Sequence, residues 1–224
     1  MHLREEDVQL AKISGLLHDI GRFEQIKRFH SFEPGTMDHA MYGADLLFGP
    51  EQMIRRFVKD PSFDQLICVA IAKHSDFKLE GIEDKRTLLH ARLIRDADKL
   101  DNCRVKLEES METLLDMDEK TVGASPISPK VWESCKAEES VLSADRKTGM
   151  DYWMSYLALY FDINFPETYQ IIKEQDYIRR IAERVPYSRE DTKEKVAYTV
   201  KKLEEKMNIC LLYTSPSPRD TERS

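Results

Sequence analysis

Leu16-Leu17-His18-Asp19-Ile20-Gly21-Arg22 is the stretch on which the reading of this chain turns. It ends an apolar run with two ionisable residues and a glycine. Upstream, Glu5 to Leu17 carries acidic residues in its first turn and Val8, Leu10, Ile13, Leu16 and Leu17 at helical spacing, which predicts an amphipathic helix. Adjacent residues in mid-helix point in different directions. At a helix end beside a glycine, His18 and Asp19 can both turn toward one point. An imidazole and a carboxylate set among apolar residues need a compensating partner, because an unpaired charge there is costly.

Working outward, residues 21–37 contain Gly21, Pro34 and Gly35 and predict a loop or a short helix. Asp38 caps a helix whose narrow stripe is Ala40, Gly43, Ala44 and Leu47. Asp60-Pro61 starts another, with Phe63, Leu66, Ile67, Ala70 and Ile71 leading to His74. A long helix is expected from about Arg86 to Asp116, a loop from Thr121 to Pro129, and helices near 130–142, 150–162 and 166–185. The last helix begins at Ser188 with Asp191 three residues on, and carries Val196, Val200, Leu203 and Met207. With only 8 Gly and 9 Pro in 224 residues and mostly helical apolar spacing, the fold class is all-α.

The chemistry-bearing residues are His18, Asp19, His39, His74 and Asp98. His74 extends the Phe63–Ala70 stripe and should point inward. Asp98 shares a helix face with Ile94 and Asp101. Taken singly, each has an ordinary structural explanation: a hydrogen-bonded core histidine, or a solvated or capping aspartate. His2, His30 and His90 keep that explanation. Imidazole and carboxylate donors together suit a divalent ion such as Zn, Mn, Fe or Co, not an all-oxygen calcium site.

In order along the chain, these blocks resemble the HD-domain superfamily of metal-dependent phosphohydrolases. Leu16–Arg22 looks like its signature, Asp38-His39-Ala40 and Ile71-Ala72-Lys73-His74 resemble the extra histidines of its multi-histidine members, and Ile94–Asp101 is similar to its closing aspartate motif. The resemblance covers roughly residues 5 to 105. It implies a single HD-type helical bundle over 1–209, with residues 105–208 as helical scaffold. It also implies His18, Asp19, His39, His74 and Asp98 as ligands of one or two divalent ions (Mn, Fe, Zn, Co or Mg). Asp19 is then catalytic as the bridging ligand, with Lys99 and Arg22 as catalytic and substrate-binding cations on the phosphate. The implied activity is hydrolysis of a nucleotide or other small phosphate ester by metal-activated water.

The family's first histidine ligand lies on a helix before the His-Asp pair. Only 17 residues precede His18, and His2 is too near to return from a separate helix, so the natural protein is expected to start earlier. At the other end, Cys-Leu-Leu-Tyr-Thr-Ser-Pro-Ser-Pro-Arg-Asp from Cys210 to Asp220 resembles the translation of a sequencing adapter. Residues 210–224 are accordingly expected to be a non-native or disordered tail.

A net charge of −7 argues against a nucleic-acid polymer or an anionic membrane as partner, but not against a small phosphorylated substrate, which a bound cation and a few local Lys or Arg residues can hold. No run is long enough to span a bilayer and no signal peptide precedes the first helix. Cys68, Cys103, Cys135 and Cys210 lack CxxC spacing, which fits reduced thiols in the cytoplasm. Two other readings stand beside the hydrolase. One is a non-catalytic HD module that binds metal or nucleotide, and the other is a purely structural helical protein.

Overall fold

The computed structural model describes residues 3–33 and 35–212, among which there is no strand. They divide into two compact units, one ending at Asp98 and one beginning at Lys99. The all-α expectation holds.

The first unit contains α1 (Glu5–Leu17), α2 (Ile20–Phe29), α3 (His39–Phe48), α4 (Asp64–Ala72) and α5 (Lys85–Glu108) up to Asp98. Side-chain caps set several of the starts. Asp38 accepts from the Met41 amide at 2.9 Å, Asp60 accepts from Ser62 ahead of the short 3-10 turn that leads into α4, and Asp84 accepts from the Thr87 amide. The core is Leu10, Leu17, Ala44, Leu47, Ile67, Ala70, Ile71 and Ile94. α3 packs against both α2 and α4. The narrow stripe on α3 matters here: a Cβ on Gly43 would lie 3.2 Å from the Gly21 amide nitrogen, so α2 and α3 cross with almost no side chain between them.

α1 and α5 run side by side in the same direction within this unit. Asp7 meets Arg86 and His90 near the start of both helices, and His18 meets Asp98 further along. α4 stops at Ala72 rather than continuing to His74, which sits in the following turn.

In the second unit the expected long helix is interrupted. α5 ends at Glu108, and Ser110 caps a new short helix, α6 (Met111–Leu115), by accepting from the Thr113 amide. The predicted loop at 121–129 is half helix: α7 (Glu119–Ala124) starts at the Asp118 cap. Gly123 is pressed against the Pro186 carbonyl, where a Cβ would clash at 2.3 Å. Tertiary packing thus selects a helix where glycine and proline suggested a loop. α8 (Pro129–Lys136), α9 (Gly149–Ala158), α10 (Pro166–Glu174), α11 (Tyr177–Glu183) and α12 (Glu190–Leu212) complete the unit around Met150, Trp153, Leu157, Tyr160, Tyr169, Ile181 and Leu203. The helix expected over 166–185 breaks at Asp176, which takes a left-handed conformation. α12 continues through Cys210 and Leu211 to Leu212, and the rest of the adapter-like string lies outside the described residues. No helix among the described residues is long and apolar enough to cross a membrane.

Candidate metal centre

Four elements of the first unit deliver the site. His18 is the residue on which α1 ends, and its Nδ1 is 2.8 Å from the Gly15 carbonyl one turn back. Asp19 is the residue from which α2 starts, with its carboxylate free of any capping role. His39 opens α3. His74 follows α4, with Nδ1 2.7 Å from the Ile71 carbonyl. A ring that donates Nδ1–H to a backbone carbonyl presents a bare Nε2 lone pair at its other end, which is the tautomer a metal needs. His18 and His74 both have this arrangement.

The donor atoms then converge on Asp19. Its Oδ1 is 3.2 Å from His39 Nε2 and 3.5 Å from His74 Nε2, and those two nitrogens are 3.1 Å apart. Its Oδ2 is 3.7 Å from His18 Nε2, which is also 3.8 Å from Asp98 Oδ1. Two donors that each bind one ion at about 2.0–2.1 Å lie roughly 3–3.5 Å apart at tetrahedral or octahedral angles. The His39–His74–Asp19 set matches that spacing, and the His18 side is slightly wider. His18, Asp19 and His74 also form a cluster of possible ligands in which one donor atom from each lies within 4.8 Å of the others. The donor set therefore fits a divalent ion, and Asp19 faces His39 and His74 with one oxygen and His18 with the other. His39 and His74 are buried, while the Asp19 side chain keeps 44% of its surface exposed, so the centre opens on the Asp19 side.

The electrostatics agree. Burial alone would raise the Asp19 carboxyl, but His39, His74, His18 and Arg22 outweigh it and hold the group far below the ordinary carboxylate range. Burial pushes His39 down. His18 is pushed the other way: burial disfavours its charge, and Asp98 and Asp19 more than offset that. Imidazoles crowded around carboxylates in this manner are poised to share a cation.

Residues 1–103 match the family model described as HD domain. This part of the chain is an HD domain. No curated protein and no solved structure matches the chain. The HD domain belongs to a superfamily of metal-dependent phosphohydrolases, and its members bind divalent metals.

The ligands expected from sequence are thus brought together: His18, Asp19, His39, His74 and Asp98 all meet within the HD domain. Arg22 is there too, with Nε 3.4 Å from Asp19 Oδ1. The Lys99 ammonium hydrogen-bonds the Asp162 carboxylate at 2.7 Å, and both residues belong to the second unit. His90 is a core histidine as read, buried and 3.2 Å from Asp7. His30 terminates α2 in a left-handed conformation. His2 lies outside the described residues.

Two supporting residues escaped the sequence reading. Buried Arg95 donates from Nη1 to the carbonyl of His74 at 3.1 Å and also to that of Asp76, which fixes the turn that carries His74. Buried Gln25 receives Arg22 Nη1 at 3.0 Å and donates to Glu33 and Thr36. The signal for Gln25 was its place one turn after Arg22. For Arg95 it was a charge within an otherwise inward-facing helix segment.

Proposed function

We propose that this HD domain is a cytoplasmic phosphohydrolase that cleaves a nucleotide or another small phosphate ester with water. The observation that carries the proposal is the Asp19 carboxylate, with one oxygen toward His39 and His74 and the other toward His18, which itself faces Asp98. His18, Asp19 and Asp98 would hold one divalent ion, and Asp19, His39 and His74 a second. Such ions supply Lewis-acid polarisation of a phosphoryl oxygen and a water of lowered pKa.

The chain's own residues do the rest. Asp19 stays ionised, and His18 and His74 are kept in the ligating tautomer by the Gly15 and Ile71 carbonyls. Arg22 offsets negative charge on the phosphoryl oxygens. In the reaction the water oxygen bonds to phosphorus, the ester P–O bond breaks, and the proton lost by water ends on the leaving alcohol.

The test is turnover of a panel of nucleoside and sugar monophosphates by the purified chain with added Mn, alongside Asp19→Ala. Metal-dependent phosphate release that falls by more than about a hundredfold in the variant supports the reading. Equal release and equal metal content in both proteins remove it.

A non-catalytic metal- or nucleotide-binding module is the second reading. It is favoured by Lys99, assigned to substrate phosphate by the resemblance but bound to Asp162 in the fold. Metal binding without turnover of any ester would select it.

A further inference from the structure

Arg22 is held more firmly than a residue that only balances Asp19 requires. Its Nε points to Asp19, and its Nη1 is divided between Gln25 Oε1 at 3.0 Å and the Phe32 carbonyl at 3.3 Å. Gln25 is itself fully buried and locked by the Glu33 carbonyl at 3.1 Å and Thr36 Oγ1 at 2.9 Å. One buried amide therefore ties the guanidinium to Glu33 and Thr36. Nη2, by contrast, has no hydrogen-bond partner among the described residues, and its two N–H groups belong to a guanidinium whose Nε lies 3.4 Å from Asp19 Oδ1.

The same loop places an aromatic ring next to this cation. The Arg22 guanidinium carbon lies 5.7 Å from the centre of the Phe32 ring. Phe32 is 63% exposed, so the face away from Arg22 is open to solvent. Phe23 is more exposed still, but only Phe32 is joined to the site through Arg22. A fixed pair of donors beside the reaction centre, with an open aromatic face one residue further out, matches a ligand that carries an anion at one end and a planar ring at the other.

We propose that Arg22 and Phe32 form a nucleotide subsite. Nη2 takes the phosphate and Phe32 stacks on the base, which makes the substrate a nucleoside monophosphate. Of the ester classes left open above, this geometry selects one, and it rests on the phosphohydrolase reading. Base–aromatic stacking tolerates any base, so the subsite discriminates the presence of a base and not its identity. A single fixed guanidinium suits one phosphate group; a polyphosphate chain would call for further cations along its length.

The test compares adenosine monophosphate with ribose 5-phosphate as substrates of the Mn-loaded chain, and measures binding of adenosine by equilibrium dialysis. Phe32→Ala and Phe32→Trp are the variants. The expected result is a kcat/KM about tenfold higher for the nucleotide. Phe32→Ala should abolish that advantage, and Phe32→Trp should keep it. Adenosine binding should weaken in Phe32→Ala alone. Equal kcat/KM for the two esters, unaffected by either variant, overturns the subsite and leaves the phosphohydrolase standing. Phe32-dependent adenosine binding with no turnover of either ester supports the subsite and overturns the hydrolase. Neither turnover nor adenosine binding overturns both.

Discussion

A Cβ on Gly21 would lie 2.0 Å from the carbonyl oxygen of His39. α2 and α3 therefore touch backbone to backbone just where the proposed ligands begin, since Asp19 stands two residues before Gly21 and His39 is itself one of the proposed set. Gly21→Ala must push the helices apart by roughly 1 Å, and overpacking of this kind costs about 1–3 kcal/mol. The larger expected effect is on Asp19 and His39, now 3.2 Å apart: Mn affinity should fall by about tenfold or more while helical content is kept. Gly15→Ala is the control. A Cβ there meets nothing within 4 Å, and alanine within α1 should raise stability by about 0.5–1 kcal/mol without touching metal binding. Calorimetric titration with Mn, and thermal melts of both variants, check the pair.

Asp19 lies between two donor groups, so its loss and the loss of one histidine should differ in stoichiometry. His39→Ala is expected to leave one equivalent of tightly bound metal, held by His18, Asp19 and Asp98, and Asp19→Ala to leave none. Elemental analysis after gel filtration counts the ions. The thermal melt supplies a second readout, because an ion at about 100 times its dissociation constant adds about 2.7 kcal/mol to stability. Identical metal content in the two variants would rule out the bridging role of Asp19.

Much of the HD domain was readable because local rules and tertiary packing agree there. The Leu16–Leu17 run, the Asp38 and Asp60 caps and the small-residue stripe on α3 each forecast the element that formed. The convergence of His18, Asp19, His39, His74 and Asp98 was legible for another reason: their blocks resemble the HD-domain motifs in order along the chain, and the fold brings them together. What could not be read was set by contacts between distant parts of the chain. α7 forms where the sequence suggests a loop because Gly123 packs on Pro186, and Lys99 is drawn to Asp162, which lies far along the chain with no local mark. The break at Ser110 could have been foreseen, since serine caps helices better than it continues them.

Arg95 shows how a turn can be made rigid enough to carry a proposed ligand. α4 has already ended when His74 is reached, so the position of that imidazole depends on the carbonyls of His74 and Asp76 being held by Nη1 of Arg95. Arg95→Met keeps much of the volume and removes the donors. Leaving buried carbonyls without a partner costs about 1–3 kcal/mol. Arg95 holds the turn through its backbone carbonyls, so a purely structural role predicts lower stability with unchanged metal affinity. A positioning role predicts weaker binding of the ion held by His39 and His74 as well. Mn titration of the folded variant at a temperature well below its melt separates the two, and the expected result is the second.

The remaining prediction concerns acid stability and the far end of α1. Asp7 is buried, and burial by itself would raise its carboxyl. Hydrogen bonds from Arg4, Arg86 and His90 outweigh that and hold it well below the ordinary value of about 3.9. A depressed carboxyl binds its proton more readily in the unfolded chain than in the fold. Its stabilising contribution is therefore fully present above about pH 3.9 and is lost as pH falls below that, toward the folded value. Asp7→Asn keeps the shape and removes the charge, so it should lower stability at neutral pH and flatten the decline at acid pH. Urea unfolding from about pH 6 to about pH 3 measures both slopes. Parallel slopes for the two proteins would show that Asp7 is not what links α1 to α5 electrostatically. The expected convergence at low pH would show that it is.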